Sequence, residues 1–343
     1  MENVNKKKRT MYRRQKKQLL LFNTIVSIVL AVSIVFSCAL GVLAYMTGNM
    51  RRGLISGNHE DLGINSEVSN KLSKDIINIA LFGLDSRSTE TTNLTTALSG
   101  RSDTTIIMSI NTIDNTIKMT SILRDSWVPI NDGNKHNGYY KINSSYSFGG
   151  AQLAIRTLNQ NFHLNITDYV SVNMHQMCNI IDILGGVDIV ITEMELKKIN
   201  EFSDDDYDGF HTDPVPHAGL VHLNGIQALS YSRIRNDSEE IRVLRQQKVL
   251  SCLLEKAKNL PVAEYPSVLR QILSTVETSM SYDDIFKFSP LLSVSELHLQ
   301  STTIPGEEVV AQGGIFSDTR GGWVWKYDLD KAKDYIHEWI YGV

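Results

Sequence analysis

Cysteine is nearly missing from this chain: Cys38, Cys178 and Cys252 are the three present in 343 residues. Cys38 lies inside a long apolar run and the other two have apolar neighbours. No disulfide framework therefore braces the fold, and a large hydrophobic core has to hold it. The sequence also lacks a GxxxxGK[ST] phosphate loop, a GxGxxG turn after a strand, a CxxC pair and a GxSxG elbow. Their absence argues against nucleotide hydrolysis, redox chemistry and the common serine hydrolase mechanism. No internal repeat is present. Positive charge is scarce beyond Arg52: setting aside the ten basic residues and one acidic residue before Gly53 leaves 24 basic against 37 acidic, a net charge of −13. Nucleic-acid binding draws most of its affinity from phosphate neutralisation, so a domain this acidic is a poor candidate for it.

What is present begins with one apolar run. Lys6, Lys7, Lys8, Arg9, Arg13, Arg14, Lys16 and Lys17 precede an uncharged stretch from Gln18 to Met50. Its apolar heart, residues 19–44, is longer at about 1.5 Å per residue than the ~30 Å hydrocarbon core of a bilayer. The basic flank is expected to stay inside. The chain thus reads as a single-pass cell-membrane protein: a cytoplasmic tail over 1–18, a transmembrane helix over 19–44, an extracellular spacer over 45–74 and an extracellular domain beyond. A cleaved signal peptide is the alternative, but the run is long for one and no A-x-A site ends it.

Regular structure in the external part starts with a buried strand over residues 76–83 and a hairpin whose strands cover 103–110 and 116–123 around Asp114-Asn115. A helix at 150–161, a strand at 169–173, a helix at 174–184 and a strand at 187–191 follow. Further helices are expected over 224–229, 241–259 and 262–278. Alternating strands and helices with one hairpin predict an α/β fold, a mixed central sheet flanked by helices on both faces.

The densest chemical signal is Tyr231-Ser232-Arg233-Ile234-Arg235, followed by Arg242, Arg245, Gln246 and Gln247. Arg233 and Arg235 point to one side of an extended segment, and Arg242 and Arg245 share a face if a helix follows. Like charges that converge need an anion between them, and guanidinium groups match phosphate oxygens as bidentate partners. For these residues alone, a solvated basic helix face is the alternative. Polar groups also collect where apolar strands stop: Asp85 follows the first, Arg101-Ser102-Asp103-Thr104 opens the second, and Arg124-Asp125 closes the third. Two carboxylates at strand ends suit Mg²⁺, which keeps one or two carboxylates plus substrate oxygens. Taken singly, either aspartate reads as a turn or capping residue. The run Asp204-Asp205-Asp206-Tyr207-Asp208, with His211, Asp213, His217 and His222 after it, matches neither EF-hand nor HExxH spacing and reads as an acidic surface loop.

Taken in order, these stretches resemble the LytR-CpsA-Psr family, membrane-anchored enzymes of Gram-positive cell walls. The resemblance rests on Asn78-Ile79-Ala80-Leu81-Phe82-Gly83-Leu84-Asp85-Ser86-Arg87, Arg101-Ser102-Asp103-Thr104, Ser121-Ile122-Leu123-Arg124-Asp125 and Lys141-Ile142-Asn143-Ser144-Ser145-Tyr146. Gly185-Gly186-Val187-Asp188-Ile189, Leu223-Asn224-Gly225-Ile226-Gln227-Ala228-Leu229 and the arginine cluster complete it. It implies an α-β-α catalytic domain over 75–260 with a C-terminal extension, 261–343, packed on it. It also implies a phosphotransferase that moves a phosphorylated glycopolymer, teichoic acid or a capsular or wall polysaccharide, from undecaprenyl diphosphate to peptidoglycan.

Carried over by position, Asp85 and Asp103 would hold Mg²⁺ or Mn²⁺, while Arg101, Arg124, Arg233, Arg235, Arg242, Arg245 and Gln246 would clamp the diphosphate. Lys141 would be a further anion contact. Catalysis would fall to Arg124, Asp125, Arg233 and Arg235, with Asp125 or a metal-bound carboxylate as base. The family's polyprenyl tunnel would draw on Phe148, Leu153, Val170, Val172, Met174, Met177, Ile180 and Ile183, which are equally ordinary core residues. Two other functions remain open: a membrane-anchored regulatory or glycopolymer-binding protein without turnover, and a polyprenyl-diphosphate phosphatase. The chain departs from the family pattern at Leu123, at Ser144-Ser145 and in a long Thr-rich loop over 88–100.

Overall fold

The buried strand expected over residues 76–83 forms the fourth, central strand of a seven-stranded mixed sheet. In chain order the strands are β1 (Arg51–Arg52), β2 (Ile76–Leu84), β3 (Ser102–Asn111), β4 (Thr116–Ile122), β5 (Trp127–Asn131), β6 (Asn137–Lys141), β7 (Asp168–Asn173), β8 (Val187–Ile191), β9 (Gly219–Leu223), β10 (Glu277–Thr278), β11 (His298–Ile304), β12 (Gln312–Ile315) and β13 (Trp323–Lys326). Beyond one four-residue helical turn at Ser66–Ser69, the helices are α1 (Ser144–Phe162), α2 (Met174–Ile183), α3 (Glu193–Ser203), α4 (Gly225–Arg233), α5 (Glu239–Lys258), α6 (Tyr265–Thr275) and α7 (Leu329–Tyr341). The large sheet runs β1-β10-β7-β2-β3-β4-β11, and β5-β6, β8-β9 and β12-β13 are two-stranded ribbons beside it. This computed structural model describes residues 51–53, 55–85, 100–203, 211–235, 238–261, 263–281, 284–285, 288, 298–319 and 322–342. The expected tail and transmembrane segment lie outside the described residues, as does the Thr-rich loop except for Gly100. Among the described residues no helix is long and apolar enough to cross a membrane.

Strand alternation sorts the core into two layers. Ala80, Phe82 and Leu84 of β2, with Ile107 and Ile122, pack against α1 and α7 through Leu153, Ile155, Leu158, Ile336 and Ile340. On the opposite face Ile79, Ile106, Met108, Ile110, Ile117 and Met119 meet Leu250 and Leu254 of α5. Helices therefore cover both faces of the sheet, the architecture expected of strands this apolar. The β3–β4 hairpin closes through Asn115 at φ 52°, a left-handed position that asparagine tolerates. Asn111 Oδ1 steadies it by accepting from Ile113 N at 2.9 Å and Asp114 N at 3.2 Å.

Local chemistry explains several boundaries. α1 starts at Ser144, six residues before its expected start, because the helix is interrupted at Gly149 and Gly150, the latter at φ 64°, ψ −158°. Only the segment after that break shows uninterrupted helical spacing. Asn173 ends β7 and caps α2 in one residue, with Gln176 completing a capping box, and Asn224 and Gln227 repeat the device at α4. The helix expected over 262–278 is shorter, since Val276 is extended at φ −86°, ψ 161°. Glu277 and Thr278 then pair with Ser171 and Val170. At the other edge β11 lies parallel to β4 in register from His298↔Thr116 to Ile304↔Ile122. The central sheet thus draws strands from both sides of residue 260.

Candidate active site

The strand ends bring the charged residues together. Gly83 pairs with Thr104 but Leu84 pairs with Ser102, so Asp103 is the extra residue of a β-bulge. A bulge re-aims a side chain. Here Ser102 Oγ comes within 3.3 Å of Thr105 Oγ1, although residues three apart in a regular strand face opposite sides. Asp85 N donates to Arg101 O at 3.1 Å, which closes this end of the ladder. Arg124 and Asp125 occupy the corners of a turn closed by Ser126 N donating to Leu123 O at 3.0 Å. Asn143 N donates to Arg124 O at 3.3 Å, and Trp325 N to Asp125 O at 2.9 Å.

Arg124 is the centre of the group. Its Nη1 donates to Asp103 Oδ1 at 3.1 Å, and its Nε lies 3.4 Å from Asp125 Oδ2 and 3.6 Å from Glu239 Oε1. Arg235 Nη2 stands 3.5 Å from the other oxygen of Asp103, and Lys141 Nζ donates to Asp125 Oδ1 at 2.6 Å. Arg242, 3% exposed, pairs with Glu239. Gln246 Oε1 accepts from Thr104 Oγ1 at 3.2 Å, one residue from Asp103. Burial opposes the charge on Arg124, but Asp103, Glu239 and Asp125 outweigh it and raise the guanidinium above its ordinary value. Arg242 goes the other way: burial lowers it against the pull of Glu239, and the like charges of Arg124 and Arg235 add to the drop. The Nε atoms of both arginines are buried without a hydrogen-bond partner among the described residues.

The remaining expected site residues are placed as follows. Arg101 and Asp85 are exposed at the sheet end, and Arg233 closes α4 with its guanidinium 5.8 Å from the Phe202 ring. Arg245, one helical turn beyond Arg242, engages a different carboxylate. Its Nε donates to Glu195 Oε1 at 2.8 Å and its guanidinium lies 5.9 Å from the Tyr231 ring, with the residue 5% exposed. Sequence reasoning missed Glu195 and Glu239. Thr192-Glu193-Met194-Glu195 has the spacing of a capping box, and Thr192 N does donate to Glu195 Oε2 at 2.9 Å. Glu239 stands in the first turn of α5, where an acidic residue is ordinarily read as a helix-dipole partner. Gln247 ties the sheet, donating to Ser121 Oγ at 2.9 Å and Thr302 O at 3.1 Å.

The apolar residues expected to line one tunnel are spread over separate clusters. Leu153 and Phe148 belong to the α1 side, Val170 to the opposite face, Met177 to the β8–β9 core, and Met174 to a small group with Cys178 and Leu229. The histidines after the acidic run also go separate ways: His222 Nδ1 is 2.8 Å from Asp188 Oδ1, and His217 Nδ1 is 2.9 Å from Ala218 O. Residues 204–210 lie outside the described residues.

Asp85 and Asp103 stand at the same end of the β2–β3 ladder, where Leu84 pairs with Ser102. Arg124 and Arg235 each engage a different oxygen of Asp103. A carboxylate has about four lone-pair sites, so both oxygens keep acceptor capacity. Among the described residues no group of three or more His, Cys, Asp or Glu side chains is placed to hold a metal. A cation on these two aspartates would complete its shell with water and ligand oxygens, as Mg²⁺ commonly does.

A mixed sheet with helices on both faces, whose strands end in an arginine–carboxylate cluster, defines an α/β domain with its charged groups gathered at one end of the sheet. Residues 42–335 match the LytR_cpsA_psr family, and the chain belongs to that family. It is 30% identical over 257 residues to the polyisoprenyl-teichoic acid–peptidoglycan teichoic acid transferase TagU of Bacillus anthracis (strain CDC 684 / NRRL 3495), covering 74% of this chain and 77% of the relative. Among solved structures, protein gbs0355 of Streptococcus agalactiae superposes with a TM-score of 0.64 at 24% identity, covering 83% of this chain and 91% of that one. The Bacillus subtilis protein YwtF (TagT), with bound octaprenyl pyrophosphate, superposes with a TM-score of 0.56 at 23% identity over 79% of this chain and 92% of that one. At these identities the two structures speak to the fold alone.

Proposed function

We propose that this chain transfers a phosphorylated glycopolymer from a polyprenyl diphosphate to peptidoglycan. The observation that carries the reading is that the buried Nε atoms of Arg124 and Arg242 make no hydrogen bond among the described residues, Arg124 Nε facing Asp125 and Glu239 at ion-pair distance only. A buried donor left unmade costs about 1–3 kcal/mol. A diphosphate placed between these arginines would satisfy both and relieve the crowding of like charge on Arg242. The name of the Bacillus anthracis relative supports the same reading.

In this scheme Arg124, Arg235 and Arg242 bind the diphosphate oxygens, with Arg101, Arg233, Lys141 and Gln246 at the rim. A hydroxyl of the acceptor sugar attacks the phosphorus nearer the glycan. The bond from that phosphorus to the bridging oxygen breaks, and polyprenyl phosphate leaves with its charge held by the arginines. Asp125, held by Lys141 at 2.6 Å, accepts the hydroxyl proton. Asp85 and Asp103 would hold Mg²⁺ or Mn²⁺, which would supply Lewis-acid stabilisation of the phosphate charge. Because the donor is a lipid, the domain works at the outer face of the membrane, tethered through residues 19–44. The test is incubation of the full chain with lipid-linked glycopolymer and peptidoglycan fragments. Covalent glycopolymer–peptidoglycan product is expected. Binding without product would favour the regulatory reading, and release of phosphorylated glycopolymer to water would favour the phosphatase.

A further inference from the structure

The β12–β13 ribbon carries an aromatic shelf that the anion chemistry does not use. Trp323 and Trp325, two residues apart, share one face of β13, while Val324 between them is fully buried on the other. The indoles meet edge to face, with centroids 4.7 Å apart at 82°. Gly313 lies opposite Trp325 and Ile315 opposite Trp323. A Cβ built on Gly313 would fall 2.6 Å from Trp323 Cζ2 and 2.8 Å from Trp325 Cζ3, so the missing side chain is what lets both rings lie against the strand. Trp323 is 41% exposed and Ile315 65%. With Trp325 half-buried and packed edge-on against it, Trp323 is braced on a glycine and presents an indole ring to solvent.

Its position connects it to the reaction. Besides the bond from Trp325 N to Asp125 O, Ser126 and Trp325 form a parallel β-bridge, and a Cβ on Gly322 would lie 3.6 Å from Lys141 Cε. The shelf is thus bonded through the backbone to the turn that presents Arg124 and Asp125, one residue from the neighbour of Lys141. Asp318 holds Lys326 of β13 at 2.6 Å, and Glu307, Glu308, Asp328 and Asp330 are exposed in the flanking sequence. Exposed carboxylates in this stretch disfavour an anionic membrane and a polyphosphate polymer alike. A pyranose ring offers an indole its flat C–H face and its hydroxyls to water and to carboxylates.

We propose that this shelf is a glycan subsite that stacks an N-acetylhexosamine ring of the uncharged acceptor backbone and so delivers its hydroxyl beside Asp125. The inference rests on the transferase reading for its role, though not for its existence. The test uses the full chain in detergent micelles with two probes, a β-1,4-linked N-acetylglucosamine tetramer followed by ligand-observed NMR and geranylgeranyl diphosphate followed by calorimetry. Trp323→Ala is expected to weaken the tetramer at least ~10-fold, the scale of a lost aromatic stacking contact. Trp323→Phe should retain most of the affinity, Gly313→Ala should lose it by displacing the rings, and Trp323→Ala should bind the diphosphate unchanged. No binding of the tetramer to the wild type, or equal binding to Trp323→Ala, overturns the subsite. Parallel loss of both probes in Trp323→Ala does the same. If the tetramer binds and the diphosphate does not, the transferase reading fails and the subsite stands; the reverse pattern removes the subsite and leaves the transferase reading.

Discussion

Arg245 decides whether the arginine run is one clamp or two devices. The family resemblance assigns it to the diphosphate, yet its Nε donates to Glu195 Oε1 at 2.8 Å and both residues are buried. The other oxygen of Glu195 accepts from Thr192 N at 2.9 Å and Thr192 Oγ1 at 3.1 Å, so a single carboxylate caps α3 and fastens it to α5. Burial alone would raise Glu195; the Thr192 backbone N–H and Arg245 overcome it and hold the group below its ordinary value. Removing one member of a buried ion pair strands the other and costs about 3–5 kcal/mol. Arg245→Met should therefore lower the unfolding midpoint by on the order of 10 °C, taking roughly 2–4 °C per kcal/mol for a domain of this size.

The double variant Glu195→Gln/Arg245→Met keeps a side chain able to close the capping box and removes both charges. It should recover to within about 1–2 kcal/mol of wild type, because neutral replacement of a buried pair is often tolerated. Urea unfolding of the four proteins, read as a double-mutant cycle, gives the coupling directly. The sign with pH follows from Glu195. Its folded value is depressed, so its contribution is present above the unfolded value of about 4.3 and fades as pH falls through the folded one. The gap between wild type and Arg245→Met should accordingly close in acid. An Arg245→Met protein as stable as wild type at pH 7 but with transfer reduced ~100-fold, the scale of a lost charge stabiliser, would refute the structural assignment and return Arg245 to the clamp.

Arg235, whose side chain is 60% exposed, should behave oppositely: Arg235→Ala is expected to leave the unfolding midpoint unchanged and reduce glycopolymer transfer ~100-fold, checked by turnover on lipid-linked donor. Asp85→Ala and Asp103→Ala should each raise the Mg²⁺ concentration for half-maximal activity, and full activity in excess chelator would contradict the joint site. A Cβ on Gly225 would meet Cys178 O at 2.2 Å, so Gly225→Ala should wedge α2 from α4 and cost about 1–3 kcal/mol, measured by urea unfolding. Protease added to intact wall-stripped cells should degrade the domain and spare the tail at Lys6 to Lys17; cleavage of the tail with the domain protected would reverse the orientation.

What was legible in the sequence follows the range of the interactions involved. β2 is a near-continuous apolar run, β3 carries one at its centre and β4 alternates, and β3 and β4 are joined by a turn with its own chemistry, so short-range pattern suffices for them. β11 carries no such pattern: His298-Leu299-Gln300-Ser301-Thr302-Thr303-Ile304 is largely polar, and its partner is β4, roughly two hundred residues earlier. β5 was hidden by Pro129, which is tolerated because that residue is exposed in a two-stranded ribbon. The site divides in the same way. Asp85, Asp103, Arg124 and Asp125 stand where apolar strands stop and could be collected by that rule alone. The choice of partner could not, because Arg242 finds Glu239 within its own first turn whereas Arg245 finds Glu195 fifty residues upstream on another helix.

The acidic partners change how the cluster should be understood. Arg124, Arg235, Arg242 and Lys141 are interleaved with Asp103, Asp125 and Glu239, which suits arginines that must stay aligned before any ligand arrives. Bare guanidinium groups at this spacing would repel one another and scatter; carboxylates between them fix their directions at little cost in net charge. The same carboxylates make a weakly charged ligand a poor competitor, since it cannot replace what it displaces. A diphosphate could, with several oxygens and more than one negative charge, and it would offer acceptors to the two Nε atoms that make no hydrogen bond among the described residues. Selection for a diphosphate over a single carboxylate or sulfate then follows from the exchange itself, without any further residue being devoted to it.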